Sequence, residues 1–152
     1  MNKSKKGITL LSAVIIIVVL LIFAGTLVIS TDYMLEETDK KEFVREYKLI
    51  KASTNDYIMR NDGVIDFQEI DLDVSTIPSE NLEQFREETI VDNVIEMYII
   101  DLDKIGVINT TYGRRAYEDE NDVYLLSKNT EIIYYKKGFN YNKNIYYTGN
   151  ID

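Results

Sequence analysis

ITLLSAVIIIVVLLIFAGTLVISTDYMLEETDKKEFVREYKLIKASTNDYIMR, residues 8–60, changes character partway along without meeting a proline, and its reading decides the fold. From Ile8 to Ser30 no residue is charged, and only Thr9, Ser12, Gly25, Thr26 and Ser30 dilute the Ile, Val and Leu. Roughly 20 apolar residues cross a bilayer as a helix, so this run is long enough to span one. From Thr31 the chain turns polar, with no Pro or Gly before Gly63. There Phe43, Tyr47, Ile50, Thr54 and Tyr57 or Ile58 recur at spacings of three and four, a single stripe on a helix. Between Leu35 and Phe43 the helix is polar all round and needs side-chain pairs to hold it. Glu36–Lys40 and Glu37–Lys41 supply them, with the acid on the favoured amino-terminal side. Asn61-Asp62-Gly63 then makes a good carboxyl-terminal cap. The expectation is one helix from Ile8 to about Arg60, some 53 residues, or about 80 Å. Its apolar half covers residues 8–30 and its amphipathic half residues 31–61. A plain anchor would more often break into a Gly/Ser/Pro linker outside the membrane.

The chain has 152 residues and neither cysteine nor histidine. That rules out disulfides and removes the ligands on which zinc, haem and iron–sulfur sites rely. It also removes the commonest general base and the thiolate nucleophile. Lys3, Lys5 and Lys6 precede the apolar run, and the acidic Asp32, Glu36 and Glu37 follow it. The positive-inside rule therefore keeps the amino terminus in the cytoplasm and places residues 31–152 outside.

A secretory signal peptide has an apolar core of about 7–15 residues and then a small-x-small cleavage site. This run is too long for that, and Phe23-Ala24-Gly25 lies in its middle. A plain single-pass anchor fits, but it gives no reason for the lone Gly7 between the lysines and Ile8. Lys5-Lys6-Gly7 followed by ITLLSAVIIIVVLLIFAG resembles the amino terminus of type IV pilins and of type II secretion and DNA-uptake pseudopilins. The resemblance implies a leader, residues 1–7, removed after Gly7 by a prepilin peptidase, with N-methylation of the new terminal residue Ile8. A glycine suits such a site, because without a Cβ the backbone approaches an active site closely. Thr9 and Leu10 match the family's usual second and third mature positions.

The fifth mature position, usually a glutamate in that family, is Ser12 here. In the family that carboxylate meets the terminal cation of the neighbouring subunit, and a carboxylate in hydrocarbon needs such a partner. Ser12 makes no such pair, which resembles the minor subunit at a filament tip rather than a major repeating pilin. The implied partners are other pilin-like subunits through the amino-terminal helix, the prepilin peptidase, an assembly platform protein and its ATPase. The implied location is the cell membrane, then a cell-surface filament after assembly. The alternative is a single-pass membrane protein with an extracytoplasmic interaction or sensing domain.

Residues 61–103 hold thirteen acids and one base, Arg86. This stretch reads as an irregular acidic loop region over residues 62–92, in which Ser79 caps a short helix running through Glu83 to Glu88. An acidic run of this kind is usually a solvated face. Asp62, Gly63, Ile65 and Glu69 match four positions of an EF-hand loop, but Ile58 and Arg60 occupy the first and third ligand positions. IDLDKIGVINTTY fails in the same way. Calcium held by another arrangement of Asp62, Asp66, Asp71 and Asp73 stays open. Residues 93–152 read as an antiparallel β head, with strands at 93–102, 104–112, 123–126, 131–135 and 144–148. Nine of twelve tyrosines lie at or after Tyr98, and tyrosine suits a half-buried pleated surface. A long helix packed against a meander of about four strands is an α+β, pilin-like arrangement.

Without histidine no Ser–His–Asp triad is possible, and neither a G-x-S-x-G elbow nor a phosphate-cradling glycine loop occurs. No catalytic residue, metal or cofactor is expected. All 26 acids and 14 of the 17 bases follow residue 30, a balance of 14 − 26 = −12 for the outer part. Such a surface repels phosphate backbones and disfavours nucleic-acid binding. Lys128, Lys136, Lys137 and Lys143 near the hairpin offer a basic end that a neighbour's acidic segment could meet.

Overall fold

A computed structural model of the chain describes the backbone of residues 3–151 and the side chains of residues 13–22 and 34–151. The first element, α1, spans Lys3–Arg60. Two units divide the chain, Met1–Asp39 and Lys40–Asp152. Among the described residues no helix is long and apolar enough to cross a membrane. Most side chains of the expected span, residues 8–30, lie outside the described residues. Of those that are described, residues 14–22 expose between 43% and 67% of their surface.

In the second unit the stripe is laid as its spacing requires. Phe43, Tyr47, Ile50 and Thr54 are buried, and Tyr57 and Ile58 pack at the margin of the same core. The helix ends at Arg60: Asn61 N–H donates to the Tyr57 carbonyl, and Gly63 N–H reaches back to the Ile58 carbonyl at 2.9 Å. That last bond is the closure expected of a Schellman-type cap.

Six strands follow. β1 (Gln68–Asp73), β2 (Val94–Ile99), β3 (Tyr124–Ser127) and β4 (Ile133–Tyr135) form a four-stranded antiparallel sheet in that order. β5 (Phe139–Tyr141) and β6 (Asn144–Tyr146) make a separate hairpin. Tyr141 pairs with Asn144, leaving a two-residue loop whose Asn142 and Lys143 both have positive φ. That is the type I′ turn matching the twist of a hairpin. The fold is α+β, a helix packed on an antiparallel sheet.

At β3 and β4 both faces of the sheet are covered, and this explains β3, which is buried along its whole length. Tyr124 and Leu126 face the helix stripe with Tyr135 and Phe139. Val123, Leu125 and Tyr134 face Leu72, Val74, Ile77 and Phe85 on the other side. A strand covered on both faces reads as a continuous apolar run, not an alternation.

Three expectations need correction. The acidic stretch 62–92 is not only loop: it supplies β1 and the apolar Val74, Ile77 and Phe85 of the second core. QEIDLD alternates strictly, so Ile70 and Leu72 turn inward while the acids face out. The short helix is a 3₁₀ helix, Ser79–Phe85, that stops before Glu88, and Pro78 rather than Ser79 precedes its first turn. The expected strand at 104–112 is a loop. Asp101 Oδ1 accepts the N–H groups of Asp103 and Lys104, and Gly106 adopts φ +74°. The N–H groups of Thr111 and Tyr112 go to Glu46. Ile105, Gly106 and Val107 N–H donate to the carbonyls of Asp101, Asp103 and Leu102, so these donors close local turns instead of a ladder, and Ile105 and Val107 enter the core from a loop.

Candidate functional site

Lys3, Lys5, Lys6, Gly7, Ile8 and Ser12, the residues of the expected processing site, fall where α1 side chains lie outside the described residues. Just beyond them, residues 14–21 present Val, Ile and Leu on every side of the helix. A helix apolar all round belongs in hydrocarbon or in a protein interior, so this stretch is itself a surface in need of a partner.

In the unit 40–152, three buried carboxylates each hold a tyrosine. Glu46 on α1 accepts Thr111 N–H through Oε2 at 2.6 Å, and Tyr112 N–H and the Tyr124 hydroxyl through Oε1, both at 3.0 Å. Burial raises its carboxyl above the ordinary value, against the opposing pull of those donors. Glu88, just past the 3₁₀ helix, accepts the hydroxyls of Ser127 at 2.6 Å, Thr130 at 2.5 Å and Tyr134 at 2.9 Å. Asp122 accepts Gly113 N–H at 3.0 Å and the Tyr135 hydroxyl at 2.5 Å. Burial and the adjoining carboxylates push the phenols of Tyr124, Tyr134 and Tyr135 well above the usual tyrosine range. Tyr47 donates to the Ile133 carbonyl at 2.7 Å, and burial pushes its phenol up to about 12. With their acceptor positions occupied by donors, the carboxylates act as pins between chain segments. Sequence reading did not single them out, although each acid lies in a region it had taken as helix, loop or solvated face.

Three of the four lysines of the basic end expected near the hairpin, all but Lys143, are engaged within the chain. Lys128 pairs with Glu69 at 2.7 Å, Lys136 donates to the Glu120 carbonyl at 3.0 Å, and Lys137 lies 3.8 Å from Asp122. A different basic face is open. Lys40, Lys41, Arg45 and Lys48 on α1 line a broad groove of about 640 Å³ whose other wall is residues 149–151, with Val44 and Ile151 as its apolar part. The wall can lie this close because residue 149 is glycine: a Cβ there would overlap the Tyr47 ring. The signal in the sequence is Lys41, Arg45 and Lys48, spaced four and three on the face next to the buried stripe.

A smaller cleft of about 330 Å³ opens over the second core, floored by Leu72, Ile77, Phe85, Leu125, Tyr134 and Tyr147. Phe85 stacks on Tyr134 with ring centres 4.5 Å apart. Among the described residues no group of three or more acidic side chains is placed to hold a metal ion. Of the four acids considered for calcium, Asp66 pairs with Lys104 at 2.8 Å and Asp73 caps its own turn by accepting Ser75 N–H. No family model matches the chain, and neither a curated protein nor a solved structure does.

Proposed function

We propose that the chain is a pilin-like subunit: a minor pilin or pseudopilin of a type IV pilus or of a related type II secretion or DNA-uptake filament. The observation that carries this reading is the stretch 14–21 of α1, apolar and exposed on every side, in a helix whose residues 43–54 lie under a β-sheet. Hydrocarbon first, and then a bundle of like helices, would cover that stretch. Removal of the leader after Gly7 takes away Lys3, Lys5 and Lys6, the charges that hold the terminus in the cytoplasm. The freed helix, beginning at Ile8, then leaves lipid for the bundle without passing its apolar surface through water. An ATPase acting through a platform protein supplies the work. Ser12 suits a place with no subunit ahead of it. The α+β unit faces outward for contacts.

The test is the intact mass of the protein recovered from membranes after co-expression with a prepilin peptidase. The expected species begins at Ile8 and carries one added methyl group, and a Gly7→Val variant keeps its leader. An intact Met1 in the presence of active peptidase would overturn the reading. It would favour a single-pass membrane protein with an extracytoplasmic interaction or sensing domain, anchored by the same apolar stretch.

A further inference from the structure

The unit 40–152 bears two faces of opposite charge that do not meet within one chain. The first is the groove of Lys40, Lys41, Arg45 and Lys48. Among the described residues none of these four has a carboxylate within 4 Å in this unit, and Lys40 instead sits 4.7 Å over the Tyr141 ring. The second is on β1, an edge strand, and its neighbour β2. Asp71 and Glu96 are direct partners in the β1–β2 register, and both are exposed. The alternation that turns Ile70 and Leu72 into the second core puts Glu69, Asp71 and Asp73 on the opposite face. Glu69 is neutralised by Lys128, whereas Asp71 and Glu96 have no cation within 4 Å among the described residues. Like charges directly opposite each other destabilise an antiparallel pair. The acidic pair is complementary in charge to Lys41, Arg45 and Lys48 on the helix.

The geometry points to a head-to-tail contact between two copies of this chain, in which the Asp71/Glu96 face of one seats in the Lys41/Arg45/Lys48 groove of the next. A protein face is the occupant favoured over a lipid surface or a nucleic acid. The groove is walled by residues 149–151 and carries apolar Val44 and Ile151 beside its cations, and the chain's net charge of −9 repels an extended polyanion at long range. The contact is heterologous, so the pair keeps one unused face of each sign, one on each copy. It goes beyond the proposed function, since it would hold whether the leader is removed or retained.

Sedimentation of the full chain in a neutral detergent tests it. Wild type should associate as concentration rises at low salt and separate at about 1 M salt, where the screening length is about 3 Å. Lys41→Glu with Arg45→Glu, and separately Asp71→Lys with Glu96→Lys, should each weaken self-association by about tenfold or more. Mixing the two doubly reversed variants should restore it, because each then presents a face complementary to the other. Circular dichroism of each variant confirms folding, and single reversals at Arg45 and Glu96 replace any pair that fails to fold. A wild type that does not self-associate would overturn the contact, as would association that neither reversal changes or a mixture that does not recover. Binding of the folded wild type to phosphatidylglycerol vesicles through Lys41 and Arg45, without self-association, would overturn it in favour of a lipid surface.

Discussion

Replacing Glu46 by Gln keeps the shape of a buried side chain and removes one acceptor from a site that uses three donors. Thr111 N–H reaches Oε2 at 2.6 Å, while Tyr112 N–H and the Tyr124 hydroxyl share Oε1 at 3.0 Å. An amide has one oxygen. Its better orientation keeps that oxygen on Thr111, donates its NH₂ to the Tyr124 hydroxyl, and leaves the Tyr112 N–H unpaired. An orphaned buried donor costs about 1–3 kcal/mol. Relief of burying a charge offsets part of that, so we expect a net loss of about 1–2 kcal/mol at neutral pH.

The pH dependence gives an independent sign. Burial raises the Glu46 carboxyl in the folded state above its ordinary value of 4.5. The folded protein therefore binds this proton more tightly than the unfolded chain. The stabilisation from that proton is complete below 4.5 and is lost as pH rises through the folded value. The gap between wild type and Glu46→Gln should thus widen as pH falls from neutral toward 4.5. Urea unfolding of the full chain in neutral detergent, followed by near-ultraviolet circular dichroism of the tyrosines, measures both effects. A variant as stable as wild type, or a gap that narrows on acidification, would refute the reasoning.

Thr54→Val should raise stability by about 1 kcal/mol in the same assay, because the Thr54 hydroxyl is buried with no hydrogen-bond partner among the described residues and valine fills the same space. Phe43→Ala should cost about 3–5 kcal/mol, since the ring is fully buried and stacked on Phe139 at 4.5 Å. Gly149→Ala should cost about 1–3 kcal/mol through the clash with Tyr47, and amide hydrogen exchange should quicken at residues 149–151 first.

The helix stripe was legible because period is a property of neighbours in sequence: Phe43, Tyr47, Ile50 and Thr54 are all buried. The hairpin at 123–135 was legible for a related reason, apolar runs around a polar turn. β1 was not read, although QEIDLD alternates cleanly, because the charge of the surrounding stretch outweighed a pattern only six residues long. The error at 104–112 is of another kind. KIGVINTTY has strand composition, but local turn bonds to Asp101, Leu102 and Asp103 hold its first residues, and a carboxylate about 65 positions earlier takes the Thr111 and Tyr112 N–H groups. No local window contains that donor–acceptor pairing. The basic groove was missed because its second wall, residues 149–151, comes from the far end of the chain. The short separate hairpin of β5 and β6 left only its second strand visible, in NIYYT.

Glu46 and Tyr47 are neighbours on α1, yet they grip different parts of the unit, Glu46 the loop at 111–112 and Tyr47 the carbonyl of Ile133 on the edge strand β4. Tension drawn along this part of the helix would load both grips at once, side by side rather than one after the other. Attachments stressed together share the force, so the helix should resist being sheared out of the sheet up to a threshold and then let go in a single rupture.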